Sequence, residues 1–271
     1  DGRRDRQGRL DPAQEKTARF LISKLYRNSQ TTVDEDGIVM IVDSSGSVLY
    51  KPQIIEGVAV YRGLLDGHSG KIPFVVLYKD RNSGKRDSHR LYFLWASTGS
   101  GGLCKPSHAV LFVDSDVEFS WPGHRKALAD LYFGLMQSQA IGGACGEIEV
   151  AHWLSSPLAC VQYFEYKTSQ MLSKTMESWF CFVTCLPGAF SAVRPQALSP
   201  WVLNRYLAEA TNIWDSNKLL LGEDRTLTTL LLQAGWGTKY VPSATARTDT
   251  PVTLSSLLRQ RRRWSNSTFV N

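Results

Sequence analysis

Continuous apolar runs alternate along this chain with segments in which apolar side chains return every three or four residues. Residues 38–42 (IVMIV) end at Asp43 and a Ser-Ser-Gly turn. Residues 58–61, 74–78 and 109–113 look alike, and all four runs are predicted to be buried strands of a parallel sheet. Helical periodicity predicts helices over 86–93, 126–138, 164–179, 225–233 and 253–264. In the fourth, Leu227, Leu230 and Leu231 share one face and Gly235 supplies the stop. In the last, Leu254, Leu257 and Leu258 oppose Arg259, Arg261, Arg262 and Arg263. The string GGACG at 142–146 is predicted to be a flexible corner leading into a strand at 147–150. Asn82-Ser83-Gly84 reads as a turn and 99–102 as a Gly-rich loop. Residues 1–37 divide into a charged leader and a helix carrying Ala18, Leu21, Ile22 and Leu25. Strands alternating with helices indicate an α/β fold, with residues 38–271 as one domain.

Composition narrows the partners. The 271 residues are 43% hydrophobic and 21% charged, which is globular rather than disordered. A net charge of +6 suits an anionic partner. No run approaches the ~20 apolar residues that cross a bilayer, and the N-terminus has no apolar signal core. The five cysteines, Cys104, Cys145, Cys160, Cys181 and Cys185, form neither a CxxC pair nor an even set, so buried thiols in a reducing compartment are expected.

Several residues can carry chemistry. Asp114 and Asp116 follow the run at 109–113, and a two-residue spacing on an extended chain would point both carboxylates one way. Such a pair can share a hard cation, Mg²⁺ or Mn²⁺, or stand solvated at a strand end. Asp43 repeats the arrangement, with a local Asx turn as the alternative. Lys85 follows Gly84 and could approach a diphosphate, or be a solvated turn lysine. Asp224, beside Glu223, suits a helix N-cap and equally a general base near a sugar hydroxyl. In Gln260-Arg261-Arg262-Arg263-Trp264, arginine forks match phosphate oxygens and the indole offers a flat face to a pyranose. The same helix could instead lie on an acidic membrane surface.

Asp43, Asp114-x-Asp116, Glu223-Asp224 and Gln260-x-x-Arg263-Trp264 stand in the order of the D, DxD, ED and QxxRW signature of processive membrane glycosyltransferases. Among these the chain resembles the chitin synthases, through GACGEI at 143–148, QYFEYK at 162–167, LPGAFS at 186–191, GEDR at 222–225, and QRRRW with the following SNST. The resemblance covers residues 38–271 and implies a GT-A type, Rossmann-like domain. It implies transfer of N-acetylglucosamine from UDP-N-acetylglucosamine to growing chitin, β-1,4-linked and with inversion. By motif, Asp43 would contact uridine, Lys85 the nucleotide, Asp114 nucleotide and metal, and Asp116 the Mg²⁺ or Mn²⁺. Asp224 would be the base with Glu223 beside it, and Gln260, Arg263 and Trp264 would line the diphosphate and acceptor end.

The strand and short turn that usually precede the Asp43 position in this family are not found in the leader. The resemblance further implies a cytosolic catalytic portion of a multipass plasma-membrane protein, possible homodimerisation, and no nucleic-acid partner. Rival readings are a hyaluronan synthase-like or non-catalytic transferase domain, and a basic membrane-surface binding module.

Overall fold

The computed structural model describes residues 30–33, 39–42, 45, 48–50, 53–55, 58–67, 70–79, 84–93, 107–119, 126–209 and 222–270. Asp43, Cys104, the Gly-rich 99–102 loop and the leader helix lie outside the described residues. The chain divides into two compact units, Asp1–Lys105 and Pro106–Asn271.

In the first unit, β1 (Gln30–Val33), β2 (Val39–Val42) and β3 (Val48–Tyr50) form one antiparallel sheet. A second contains β4 (Gln53–Ile55), β5 (Val58–Gly67) and β6 (Gly70–Lys79). The parallel arrangement expected for 38–42, 58–61 and 74–78 is therefore corrected. Gly67 pairs with Gly70, and a connection that short allows only an antiparallel hairpin. Ile41, Ala59 and Tyr61 form the buried core here. Helix α1 (Lys85–Leu91) follows Gly84, whose φ of 96° favours glycine, and Asp87 of this helix pairs with Lys79 of β6 at 2.6 Å.

The second unit is built on a mixed five-stranded sheet in the order β7-β10-β9-β11-β8. Its strands are β7 (Val110–Val113), β8 (Val117–Glu118), β9 (Ile141–Val150), β10 (Phe190–Val193) and β11 (Gly237–Thr248). Only β9 and β11 pair in parallel; β7 runs antiparallel to β10 at the sheet edge, again correcting the parallel expectation. As an edge strand it exposes Leu111 and Val113.

Helix α2 (Ala127–Met136) places Ala127, Leu131 and Leu135 at four-residue intervals on Ile141, Ala144, Ile148, Phe190, Ala192, Val241, Ala244 and Ala246. The expected corner at 142–146 is instead the middle of the sheet. Its glycines are there for clearance, because a Cβ on Gly146 would lie 2.4 Å from the Ala244 carbonyl oxygen.

Helix α3 (Pro157–Thr168) begins seven residues before the expected 164, because Ser156 caps it, accepting from the Ala159 N–H at 3.1 Å, and Pro157 occupies the first turn. It runs through a π-helical stretch (Ser169–Lys174) into α4 (Thr175–Trp179). Gln170 of that stretch is buried and acts as a one-residue strand: its Oε1 accepts from Ile148 N–H at 2.6 Å and its Nε2 donates to the Ile148 carbonyl at 2.7 Å. Gln170→Leu strands both backbone groups, and a loss of about 2–4 kcal/mol is expected in denaturant titration.

Three further α-helices are found among the described residues of the unit: α5 (Pro200–Tyr206), α6 (Glu223–Gln233) and α7 (Leu254–Val270). In α6, Leu227, Leu230 and Leu231 are buried and Gly235 takes φ 85°, as its sequence predicts. Helix α7 continues six residues beyond the expected 264.

Candidate functional site

Asp114 leaves the end of β7 with its N–H on the Ala189 carbonyl at 3.2 Å, while its own carbonyl accepts from Val117 N–H at 3.2 Å. The chain therefore turns between Asp114 and Asp116, and the extended spacing from which a shared direction was expected is corrected. The turn leads directly into the short β8 pairing with β11. Asp114 is half-buried and Asp116 exposed, and Asp116 Oδ2 accepts from Thr248 Oγ1 at 3.2 Å. Carboxylate and hydroxyl oxygens are hard donors, a chemistry that fits a hard divalent cation.

Tyr166 of α3 lies beside the last helix. Burial pushes the Tyr166 phenol above its ordinary pKa, Arg261 opposes that rise, and Glu165 and Asp116 reinforce it. The Tyr166 and Trp264 rings are 6.3 Å apart. The Arg261 guanidinium lies 4.3 Å from the Trp264 ring centre and pairs with Glu165 at 2.7 Å. Gln260 is half-buried with its Oε1 accepting no hydrogen bond among the described residues, and Arg263 is exposed.

Three residues beyond Trp264, buried Ser267 packs on Gly222, where an added Cβ would fall 1.7 Å from the serine Oγ. Gly222 is the N-cap of α6, so Asp224 stands within the first turn and not at the cap the sequence suggested. Its Oδ1 accepts from the Arg225 N–H at 2.8 Å, and its Oδ2 faces the Cys185 thiol at 3.8 Å. Glu223, half-buried, begins the same turn.

Cys185 and Ala189, the partner of Asp114, are four positions apart, a span of at most about 14 Å. The contacts fall into separate groups: Asp116 with Thr248, Asp114 with Ala189, Trp264 with Tyr166 and Arg261, Ser267 with Gly222, and Asp224 with Cys185. Lys85 is the exposed first residue of α1 in the first unit.

Lys167, next to Tyr166 on α3, reaches Glu147 and, at 3.1 Å, Glu149, which also meets Arg247 at 3.5 Å. Burial lowers the Lys167 pKa, but these two carboxylates more than reverse it and hold the ammonium above its ordinary value. Sequence reasoning did not single out Glu165, Tyr166, Lys167, Cys185 or Thr228, although the strings QYFEYK and GEDR contain or adjoin most of them. Their partners lie tens of residues away, so no local spacing announces them.

Comparison with known proteins gives a consistent result. The chitin synthase-like glycosyltransferase domain family matches residues 63–271. Chitin synthase 2 of Cryptococcus neoformans var. grubii is 37% identical over 74% of this chain, and chitin synthase 7 of the same fungus is 36% identical over 73%. The chain spans 23% of the length of each of these relatives.

Proposed function

Because the chain belongs to the chitin synthase-like glycosyltransferase domain family, we propose that it transfers N-acetylglucosamine from UDP-N-acetylglucosamine to the non-reducing end of chitin, with inversion. The observation that supports this best is the family match over residues 63–271, a stretch that carries the DxD, ED and QxxRW strings in order on a mixed α/β unit of the GT-A kind. Asp224 takes the proton from the 4-hydroxyl of the acceptor sugar, and that oxygen attacks the anomeric carbon as UDP departs. Glu223 stands beside the base.

Asp116, with Asp114, would hold a divalent cation, Mg²⁺ or Mn²⁺, and such an ion would supply positive charge to offset that on the diphosphate. Asp114 also meets the nucleotide, Gln260 and Arg263 serve the diphosphate end, and Trp264 presents its ring to the acceptor. Asp43 and Lys85 are assigned to the nucleotide by their motif positions alone.

Titration of the chain with UDP-N-acetylglucosamine, with and without Mn²⁺, tests this reading. Metal-dependent binding is expected, and nucleotide-independent, salt-sensitive liposome binding would favour the membrane-surface module instead. In the full-length protein, Trp264→Ala is expected to spare UDP binding and shorten or stop elongation. Normal chain extension by that variant, followed by product sizing, would remove the acceptor role.

The catalytic portion works at the cytosolic face of the plasma membrane, attached to membrane-spanning parts of the full-length protein. Among the described residues no helix is long and apolar enough to cross a membrane. Exposed Leu254, Leu258 and Phe269 lie along α7 with exposed Arg259 and Arg262, a pairing suited to an acidic lipid surface.

A further inference from the structure

Two consecutive loop residues address the first turns of α6 at separate points. The Cys185 thiol faces Asp224 Oδ2 at 3.8 Å. The next residue, Leu186, donates its N–H to Thr228 Oγ1 at 2.9 Å, and that hydroxyl donates to the Asp224 carbonyl at 2.8 Å. Thr228 is fully buried, and its one proton and one of its lone pairs are committed in a single direction. With Oδ1 on the Arg225 N–H, both carboxylate oxygens of Asp224 face donors.

The loop itself is anchored before it reaches this point. Glu177 Oε2 accepts from the Thr184 N–H at 2.9 Å, and the Val183 carbonyl accepts from Thr238 Oγ1 at 2.9 Å. The Thr238 N–H donates to the Cys181 carbonyl at 2.9 Å. Cys181 takes φ 53°, turning the chain sharply out of α4. A thiol on a backbone tied to α4 and β11 restrains the carboxylate oxygen it faces, and Thr228 ties the Asp224 backbone carbonyl to the same loop, so side chain and main chain are held together, as proton transfer at a fixed distance requires.

We propose that Cys185 and Thr228 are positioning residues for Asp224, aligning its carboxylate with the loop that continues into Pro187 and Gly188. The inference rests on Asp224 acting as the general base. The thiol suits the task because it keeps its proton: burial first, then the Asp224 charge, push Cys185 up to about 12, against the opposing pull of Lys174 and Arg225. A group that never ionises in the working range remains a donor throughout it.

Four variants of the full-length protein test this by kcat, KM for UDP-N-acetylglucosamine, UDP affinity and thermal midpoint: Asp224→Asn, Cys185→Ala, Thr228→Val and Thr228→Ser. Asp224→Asn is expected to be inactive. Cys185→Ala and Thr228→Val are expected to lose about 10- to 100-fold in kcat, with KM and UDP affinity changed by less than about two-fold. Thr228→Ser, which keeps both hydrogen bonds, restores turnover. If Thr228→Val does not fold, Cys185→Ala carries the same expectation alone.

Wild-type kcat in the variants that fold, beside an inactive Asp224→Asn, overturns the positioning role and leaves the base standing. Substantial turnover by Asp224→Asn overturns both. A loss of thermal stability and UDP affinity that Thr228→Ser does not reverse marks a purely structural role and also overturns the proposal.

Discussion

Asp224→Asn in the full-length protein is expected to stop polymer synthesis while leaving UDP affinity nearly unchanged. An amide has almost the volume of the carboxylate and keeps an oxygen for the Arg225 N–H, now at 2.8 Å, so the first turn of α6 has no reason to move. What it loses is a lone pair basic enough to take a hydroxyl proton, and positioned bases contribute about 10²–10⁴ in rate. Nucleotide contacts are assigned to other residues, which is why binding should survive. Radiolabel incorporation into insoluble polymer and calorimetric titration with UDP separate the two effects. An Asn variant with substantial turnover would remove Asp224 from the chemistry.

The second large effect concerns stability. Gly146→Ala is expected to cost about 3 kcal/mol or more and to prevent recovery of folded protein at growth temperature. Its Cβ would lie 2.3 Å from the Phe190 ring and 2.4 Å from the Ala244 carbonyl oxygen. A ring can swing away, but the carbonyl belongs to β11, the parallel partner of β9. Adding Phe190→Leu should therefore relieve only part of the loss. Complete rescue by that second change in denaturant unfolding would show the ring, and not the strand, to be the obstacle.

These two positions also mark how far the chain can be read without coordinates. Asp224 stands in a motif whose order along the chain is visible, and its helix is legible because Leu227, Leu230, Leu231 and Gly235 supply both a buried face and a stop. Gly146 misleads, because a glycine cluster looks the same whether it bends a loop or makes room for a neighbour. Lys85 opens the helix expected to begin at 86, so it is neither the turn lysine nor the loop residue its glycine neighbour suggested. The local cap proposed for Asp224 fails because Gly222 takes that place, pressed against Ser267 from the last helix.

By itself the sequence determined the α/β class, the helices with a strong apolar face, and the order of the acidic and arginine-tryptophan strings. Those features depend on residues three or four apart, or on motif order, and need no distant partner to be recognised. Strand direction, the central place of β9, the turn between Asp114 and Asp116, and the contacts of Asp224 with Cys185 and of Trp264 with Arg261 and Tyr166 were decided only in three dimensions. Each depends on which far segment packs alongside, and that choice follows from burying surface and pairing backbone groups across the whole unit.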